Sequence, residues 1–514
     1  MRRVRRQPEP SEQQQTQQAP ARPSRPTAAR TVLRRYSARA PEQYATEDAE
    51  TARVADFVLR LGDLMLASGA ATIDIETSII AVAGALGVQQ TEVDITFTGI
   101  TVSLDRGDGS LPVTRVRVVR RRIGDIGQLA RVHALVMRVS HGELTRREAL
   151  FELSELEQAQ PVYPPWVTTL CWGVLAGAVT QLFGGTLLVA LMALLSTVLV
   201  DLFGRYLRNR AWPDFFLHLT GALTATLVAV GLTVLEIEVR PSLIVAGGIV
   251  VLLSGTAIVA TVQDALTGYM VTAAGRALEV VLLTGGIIAG VALGLVFVRQ
   301  FDVVMDVLPP QTLNFSDIPA RAVAAAVGAV AYAIASAAPR RALLPAAAAG
   351  AAAYLTYFAG FRVFGEAAVA TAVAAVAVGF MARLVTTRLR LPPLTLVLPG
   401  VVMLLPGLAI MRGMLQISTE QTASGVISLV TALTVAVALA AGAITGEIIA
   451  APLDSGIDRI EHRVAAAQRA RRRAGETRTR RRRGLRRQRA YSPVPDAGAE
   501  EGVPPSDHGS DAVP

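Results

Sequence analysis

About ten apolar runs recur along this chain, and their spacing constrains the possible folds more than any other feature. Five runs lie between Trp166 and Val298 and five between Ile318 and Ala450. The second set matches the first after a shift of 152 positions, the difference between 166 and 318. A run of roughly twenty apolar residues has the length of a helix that crosses a bilayer. The sequence therefore predicts an integral membrane protein with about ten transmembrane helices.

The two sets of runs predict an internal repeat of opposite orientation. Because each half holds an odd number of spans, the second half must enter the membrane from the opposite side, which is typical of inverted-repeat transporters. The fourth pair matches most clearly, since LLSGTAI at 252–258 aligns with LLPGLAI at 404–410. The predicted fold class is an α-helical polytopic membrane protein with a 5+5 inverted repeat, preceded by a small cytoplasmic α/β domain.

Composition and charge give the predicted domains and their orientation. Hydrophobic residues make up 52% of the chain, which excludes a soluble protein of this length. Short cytoplasmic loops retain positive charge, and arginines cluster near 205–210, 276, 340–341 and 383–390. The opposite loops are acidic, with fewer arginines such as Arg240, Arg299 and Arg412. Both termini are therefore expected in the cytoplasm, in a multi-pass protein of the cell (cytoplasmic) membrane.

Five segments follow from these patterns. The first forty residues are rich in Arg, Gln and Pro and poor in apolar groups, so they cannot bury enough surface to fold. Arginine clusters after the last span favour contact with anionic lipid over nucleic acid. The predicted segments are a disordered basic arm (1–46), the cytoplasmic α/β domain (47–160), a first (161–310) and a second (311–452) five-helix membrane repeat, and a basic, largely disordered cytoplasmic tail (453–514).

Periodicity predicts the elements of the α/β domain. Apolar residues recur at helical spacing over 54–65 and 73–86, and again over 129–139 and 145–156. Alternating residues predict strands at 93–97 and 113–119, with a shorter candidate at 100–104 and a turn at Asp108 and Gly109. Three prolines at 161, 164 and 165 then separate this domain from the first span.

Prolines and glycines in the ninth run predict a broken span. Pro399 and Pro406 lie two helical turns apart, each lacks a backbone donor, and a flexible glycine follows each one. At mid-membrane, the amino terminus of a half-helix attracts a carboxylate and freed carbonyls accept an ammonium group. The alternative is a simple kink or packing site. The candidate substrate-binding or gating positions, with their repeat partners, are Gly248, Ser254, Gly255, Pro399, Gly400, Pro406 and Gly407.

Ionisable residues near the ends of spans are a second indication of function, because an unpaired charge in hydrocarbon is costly. Asp264, Glu279 and Glu447 are candidates for proton coupling or gating. The alternatives are that Asp264 and Glu279 form an interfacial ion-pair cluster with Arg276 and that Glu447 reaches the membrane surface. His218 is interpreted as an interfacial histidine.

Known catalytic and cofactor motifs are absent from the sequence. It has no nucleophile elbow, no HExxH zinc motif, no P-loop and no dinucleotide fingerprint. We therefore predict neither an enzyme nor a cofactor or metal site. Because no nucleotide-binding motif is present, we expect the proton gradient or the substrate gradient to drive transport. A membrane-anchored hydrolase and a channel remain as alternatives.

Several short segments resemble one known family. The residues LRLG at 59–62, SGAAT at 68–72 and FTGITVS at 97–103 are similar to the cytoplasmic domain of the threonine/serine exporter family. LLPGLAIMRG at 404–413 resembles that family's Pro-Gly-Leu motif, although Ser254 and Gly255 stand where the first half of the family often has Pro-Gly. The resemblance implies about ten spans and export of small hydroxylated amino acids, threonine and serine first. The proton gradient is the expected energy source because the chain carries no nucleotide-binding motif.

The expected partners follow from that resemblance, from the apolar runs and from the arginine clusters. They are threonine, serine or a similar small solute, the lipid bilayer and a possible homo-oligomer, with no nucleic acid. The alternative cargo is a dicarboxylate such as succinate, which would require a cationic site. Deep membrane positions carry very few arginines, and this favours a zwitterion.

Overall fold

The computed structural model describes residues 46–88, 90–105, 111–119, 124–160, 162–237, 239–253, 255–298, 317–418 and 421–453. Its first seven elements form the predicted α/β part. They are α1 (Thr46–Ala67), α2 (Thr72–Ala85), β1 (Gln90–Ile95), β2 (Gly99–Asp105), β3 (Val113–Val118), α3 (Ile126–Ser140) and α4 (Arg146–Gln158). All seven predicted elements are confirmed in type and order. The predicted turn at 108–109 and nearly all of the terminal arm and tail lie outside the described residues.

The described strands form an antiparallel sheet in the order β1-β2-β3. β2 is central because Val102 pairs with Val93 on one side and with Arg115 on the other. Its side chains alternate in burial, and Ile100 and Val102 are fully buried, so one face of the sheet covers the helices. The helices contribute large buried side chains to the same core, including Leu61, Ile75, Ile79 and Leu153.

The rest of the described chain is a bundle of apolar helices. They are α5 (Pro165–Leu182), α6 (Leu187–Asn209), α7 (Asp214–Val234), α8 (Pro241–Leu252), α9 (Gly255–Leu266), α10 (Met270–Val298), α11 (Ile318–Ala335), α12 (Leu343–Phe364), α13 (Ala367–Leu389), α14 (Leu394–Val401), α15 (Gly407–Ser418) and α16 (Thr422–Ala450).

Among the described residues, eight helical segments are long and apolar enough to cross a membrane, and α8 with α9 makes a ninth if the bent pair is one span. The sequence predicted about ten. The remaining predicted span corresponds to α5, whose hydropathy is lowered by polar residues such as Thr168, Thr169 and Gln181. Large apolar side chains such as Leu191 and Leu433 are exposed on the outer helices, as expected for a surface that faces lipid.

The same pairs of helices pack together in the two halves of the bundle. α7 packs on α10 as α13 packs on α16, and α5 packs on α6 as α11 packs on α12. Glycines allow the close approach, because an added Cβ at Gly294 would lie 2.5 Å from Thr226 and one at Gly379 would meet the carbonyl of Ala443. Corresponding helices thus have corresponding neighbours.

The broken segments lie at the centre of the bundle. The span Leu394–Ile417, which comprises α14 and α15, is 83% buried inside the protein, whereas the other seven described spans are 33–39% buried. In α8, every residue from Ser242 to Val250 is buried. Protein therefore surrounds α8 and the span Leu394–Ile417, while the other spans form the outer layer.

Candidate functional site

The two central segments are broken at corresponding positions and by the same local geometry. Leu253 ends α8 with ψ 126°, and Leu405 precedes α15 with ψ 140°, so both backbones become extended there. The N–H of Gly255 donates to the carbonyl of Leu253 at 3.0 Å, and that of Gly407 donates to Leu405 at 2.8 Å. A following proline accounts for the extended Leu405, but Ser254 gives Leu253 no such constraint. The bend between α8 and α9 is 52°.

The two breaks pack against each other. A Cβ added at Gly255 would lie 3.6 Å from Cδ1 of Leu405. A Cβ added at Gly407 would overlap the side chain of Val250 and lie 3.4 Å from the carbonyl oxygen of Ala246. No side chain fits at Gly407 unless the Val250 side chain of α8 shifts, so this glycine allows the second break to contact the first half.

The other predicted site positions pack beside the breaks. A Cβ at Gly248 would lie 3.1 Å from Ala225 of α7, and one at Gly400 would lie 2.6 Å from Val378 of α13. Pro399 is buried inside α14, and Pro406 is buried at the break itself. Ser254 falls outside the described residues. Contact of any of these residues with a substrate stays a prediction.

Two turns of the α/β part reach the first break. Gly69 follows α1 with φ +91°, and Gly124 precedes α3 with φ +62°, conformations that favour glycine. A Cβ at Gly69 would lie 3.7 Å from Cβ of Thr256, and one at Gly124 would lie 3.9 Å from its Oγ1. Thr256 is the second residue of α9. The α/β part therefore contacts the bundle directly beside the break.

A buried ion pair, which we call the docking pair, holds this contact. Oδ2 of Asp264 in α9 lies 3.1 Å from Nε of Arg276 in α10, a charge contact without linear hydrogen-bond alignment, and the two side chains are 0% and 4% exposed. Oδ1 of Asp264 accepts from the backbone N–H of Thr72 at 2.8 Å. Nη2 of Arg276 donates to the carbonyl of Ala70 at 2.9 Å. Both charges thus bind the linker 68–72 between α1 and α2.

Further contacts fix the α/β part on α10. Thr272 donates its hydroxyl to the carbonyl of Ile95 at 2.8 Å. A Cβ at Gly275 would lie 2.7 Å from Cγ of Phe97, so the turn after β1 packs closely on this helix.

Residues that precede α5 in the chain also hydrogen-bond to the turn between α11 and α12. The N–H of Ile126 donates to Ser336 at 3.1 Å, and the hydroxyl of Tyr163 donates to Ala338 at 3.1 Å. Leu394, the first residue of α14, packs against the core of the α/β part.

The remaining ionisable candidates have separate environments. Glu279 lies three residues after Arg276 on α10 and is half-buried. Glu447 on α16 is half-buried, and the charges that act on it are those of Asp74 in α2 and Arg383 in α13. His218 donates a 2.7 Å hydrogen bond from Nδ1 to the carbonyl of Asp214 in its own helix, a local contact in the first turns of α7.

Arg412 is not in a loop, which corrects the expectation from the sequence. It lies within α15, inside the span Leu394–Ile417. A new helix begins at Gly407 and continues past Arg412 to Ser418, because the proline breaks the helix without ending the span. The cationic position deep in the bundle was therefore missed by counting loop charges.

An open cavity of about 300 Å³ lies between α5, α11 and α12. It is lined by apolar side chains that include Val174, Val330 and Ile334, with Cys171 at its edge. Such a surface offers no partner for the charges of a zwitterion, so the breaks and not this cavity form the candidate site.

The fold so far defines a multi-pass α-helical membrane protein whose two central spans are broken and whose α/β part contacts one of the breaks. Residues 56–298 match the model of a family described as "Putative threonine/serine exporter", and residues 321–449 match that of "Threonine/Serine exporter, ThrE". By these matches and by its identity of 33–36% with two curated exporters, the chain belongs to the threonine/serine exporter family.

Two curated relatives extend over most of the chain. One is the "Probable threonine/serine exporter" of Mycobacterium tuberculosis, 36% identical over 422 residues that cover 80% of this chain and 79% of the relative. Another is the "Threonine/serine exporter" of Corynebacterium glutamicum, 33% identical over 411 residues that cover 79% and 84%. No solved structure matches. Because the relatives are exporters, this chain is a transport protein and not an enzyme.

Proposed function

We propose that this protein exports threonine and serine across the cytoplasmic membrane and that the proton gradient drives the export. The observation that carries the proposal is the pair of central breaks, which share one backbone geometry and pack against each other. The names of the relatives support the choice of substrate. The corresponding helix packing in both halves supports a 5+5 inverted repeat, in which one binding site lies between the repeats.

We place both termini and the α/β part in the cytoplasm. The turns at the start of α10, after α11 and at the start of α14 contact the α/β part. Each of these turns carries arginines at or near it: Arg276, Arg340 with Arg341, and Arg388 with Arg390. One shared face with excess arginine is expected on the cytoplasmic side.

At the breaks, backbone groups bind the zwitterion. Backbone carbonyls freed at the breaks accept from the substrate ammonium group, while the positive ends of α9 and α15 favour the approach of its carboxylate. The α/β part acts as the cytoplasmic gate, since Gly69 and Gly124 contact Thr256 beside the break. Entry of substrate from the cytoplasm then requires this contact to loosen, and the docking pair sets its strength.

Glu279 and Glu447 are the proposed proton-coupling groups, and Asp264 has the gating role. Asp264 is already ion-paired and bound to a backbone N–H, whereas the other two carboxylates are half-buried. Protonation of Glu447 would remove its repulsion from Asp74 and so favour the docked gate.

The test is exchange of labelled threonine in proteoliposomes of the full-length protein, with and without an imposed proton gradient. Serine should compete and succinate should not, and the gradient should accelerate net movement. Glu447→Gln and Glu279→Gln should keep exchange but lose the acceleration, with Glu155→Gln, in the α/β part, as the control. Saturable movement of succinate without movement of threonine would replace the proposal with dicarboxylate export.

A further inference from the structure

We infer that Arg412 is the anchor for the substrate carboxylate and that one face of α15 lines the substrate path. This inference rests on the proposed function and adds the group that selects an α-carboxylate. Its basis is the position of the arginine on the second broken segment, the pattern of exposure around it, and its lack of an acidic partner in the described part of the chain.

The exposed face of α15 is narrow. From Gly407 to Leu415, only Leu408, Ala409 and Arg412 keep partial exposure, and Gln416 continues the same face one turn further. These positions lie within about 100° of each other around a helix. The segment is otherwise buried among the helices of the bundle, so this face is the sector of α15 that a solute can reach, and we assign it to an internal crevice.

The crevice begins at the break. Arg412 follows Gly407 by five residues, about 7–8 Å along the helix axis. Gly407 packs on α8, and Gly413 packs on α16, where its Cβ position lies 2.9 Å from Cγ of Leu429. Arg412 is rotated about 140° from the first contact and about 100° from the second. Its side chain therefore projects away from both neighbours, into the accessible sector.

Arg412 differs from two buried arginines of the membrane helices. Arg276 is ion-paired with Asp264 at 3.1 Å, and Arg321 of α11 with Asp317 at 3.3 Å. The Nε of Arg412 is buried and has no hydrogen-bond acceptor within the described residues. An unpaired cation at this depth is costly, and a carboxylate ligand offsets the cost by accepting two parallel N–H bonds from the planar guanidinium.

Gln416 adds a polar group on the same face. Its Oε1 accepts a 2.6 Å hydrogen bond from the hydroxyl of Ser428 in α16, which holds the side chain in place. The amide one turn beyond the guanidinium provides a fixed polar surface at the far end of the face. The face thus runs from an apolar pair at the break to a cation and then to an amide, an order that suits a small amphiphilic acid.

The experiment measures binding of threonine and of threoninol, in which a hydroxymethyl group replaces the carboxylate, to the full-length protein. Wild type should prefer threonine. In Arg412→Gln, the Kd for threonine should rise about tenfold to hundredfold while that for threoninol changes less than about threefold, since only the carboxylate bond is lost. Arg412→Lys should be intermediate, because it keeps the charge without the planar fork. Arg388→Gln, at an exposed helix end, is the control.

An unchanged preference for threonine over threoninol in Arg412→Gln would overturn the inference. If that variant does not fold, Arg412→Lys decides in the same way, and an unchanged preference overturns the inference. If wild type binds no threonine, the proposed function fails and the same variants are tested with succinate. Loss of succinate binding in Arg412→Gln would then retain the carboxylate anchor, and unchanged binding would reject it.

Discussion

The docking pair makes the strongest quantitative prediction of this structure. Asp264 and Arg276 are almost fully buried, so replacing one of them leaves the other charge without its counter-ion. Breaking a buried pair in this way costs about 3–5 kcal/mol. Asp264→Asn keeps the shape and an oxygen for the N–H of Thr72, and thus removes mainly the charge. We expect the free energy of opening the linker 68–72 to fall by about 3 kcal/mol.

Hydrogen exchange of the linker measures this opening. The amide of Thr72 donates to Asp264 and is protected while the α/β part is docked. A loss of about 3 kcal/mol corresponds to exchange faster by about a hundredfold. The double variant Asp264→Asn with Arg276→Gln removes both charges. Its loss in the free energy of linker opening should therefore be smaller than the sum of the two single losses, by about 1–3 kcal/mol.

The matched control is an exposed ion pair in the same part of the chain. Nη1 of Arg138 lies 2.8 Å from Glu152, with side chains 45% and 30% exposed. Arg138→Gln should lower the free energy of opening the linker by less than about 1 kcal/mol. The buried-pair reasoning would be refuted if Asp264→Asn and Arg138→Gln lowered the free energy of opening the linker equally. It would also be refuted if the losses of the two single variants added within about 0.5 kcal/mol in the double variant.

Three further changes have defined outcomes. Gly407→Ala should lower the thermal midpoint by overpacking that costs about 1–3 kcal/mol, and Val250→Ala in the same chain should restore most of it. Burial lowers the pKa of His133 to about 4. The folded state therefore favours the neutral ring, and the free energy of unfolding should fall by about 2–3 kcal/mol as the pH falls from 6.5 to 4. His133→Leu should remove this loss. The hydrogen bond from Arg60 lowers the pKa of Glu157, so Glu157→Gln should destabilise by at most about 1 kcal/mol at pH 7 and not at pH 3.

Thermal unfolding of the full-length protein across pH 3–8 checks these three expectations. For His133 the contribution exists above the unfolded pKa and disappears through the folded pKa, so parallel profiles of wild type and His133→Leu would contradict the burial argument. For Glu157, equal destabilisation at pH 7 and pH 3 would contradict a charge-dependent bond. For Gly407, a double variant with Val250→Ala that is less stable than Gly407→Ala alone would contradict the packing contact.

Local patterns sufficed for the α/β part. The 3.6-residue periodicity predicted α1 to α4, alternation predicted β1 and β3, and β2 corresponds to the shorter candidate strand at 100–104. The break at Pro406 was also predictable, since proline excludes a helical conformation for Leu405. These are signals within a few residues, and the physical rule that each expresses acts over the same short range.

The contacts between distant segments were not predictable. The sequence placed Asp264 near Arg276, but no local signal indicates that this pair binds Ala70 and Thr72, about 190 to 210 positions earlier. The break at Leu253 has no proline to mark it. Arg412 was assigned to a loop because a charge count cannot distinguish the end of a span from the restart of a helix after a break.

The sequence by itself determined that this chain is a polytopic membrane protein with an α/β domain before its spans, because hydropathy and periodicity are properties of consecutive residues. Tertiary structure decided that the two breaks meet, that the docking pair binds the linker 68–72 beside one of them, and that Arg412 lies on the partly exposed face of α15. These features depend on close approaches at single residues such as Gly407 and on buried pairing of charges, and such approaches are fixed only when whole helices pack.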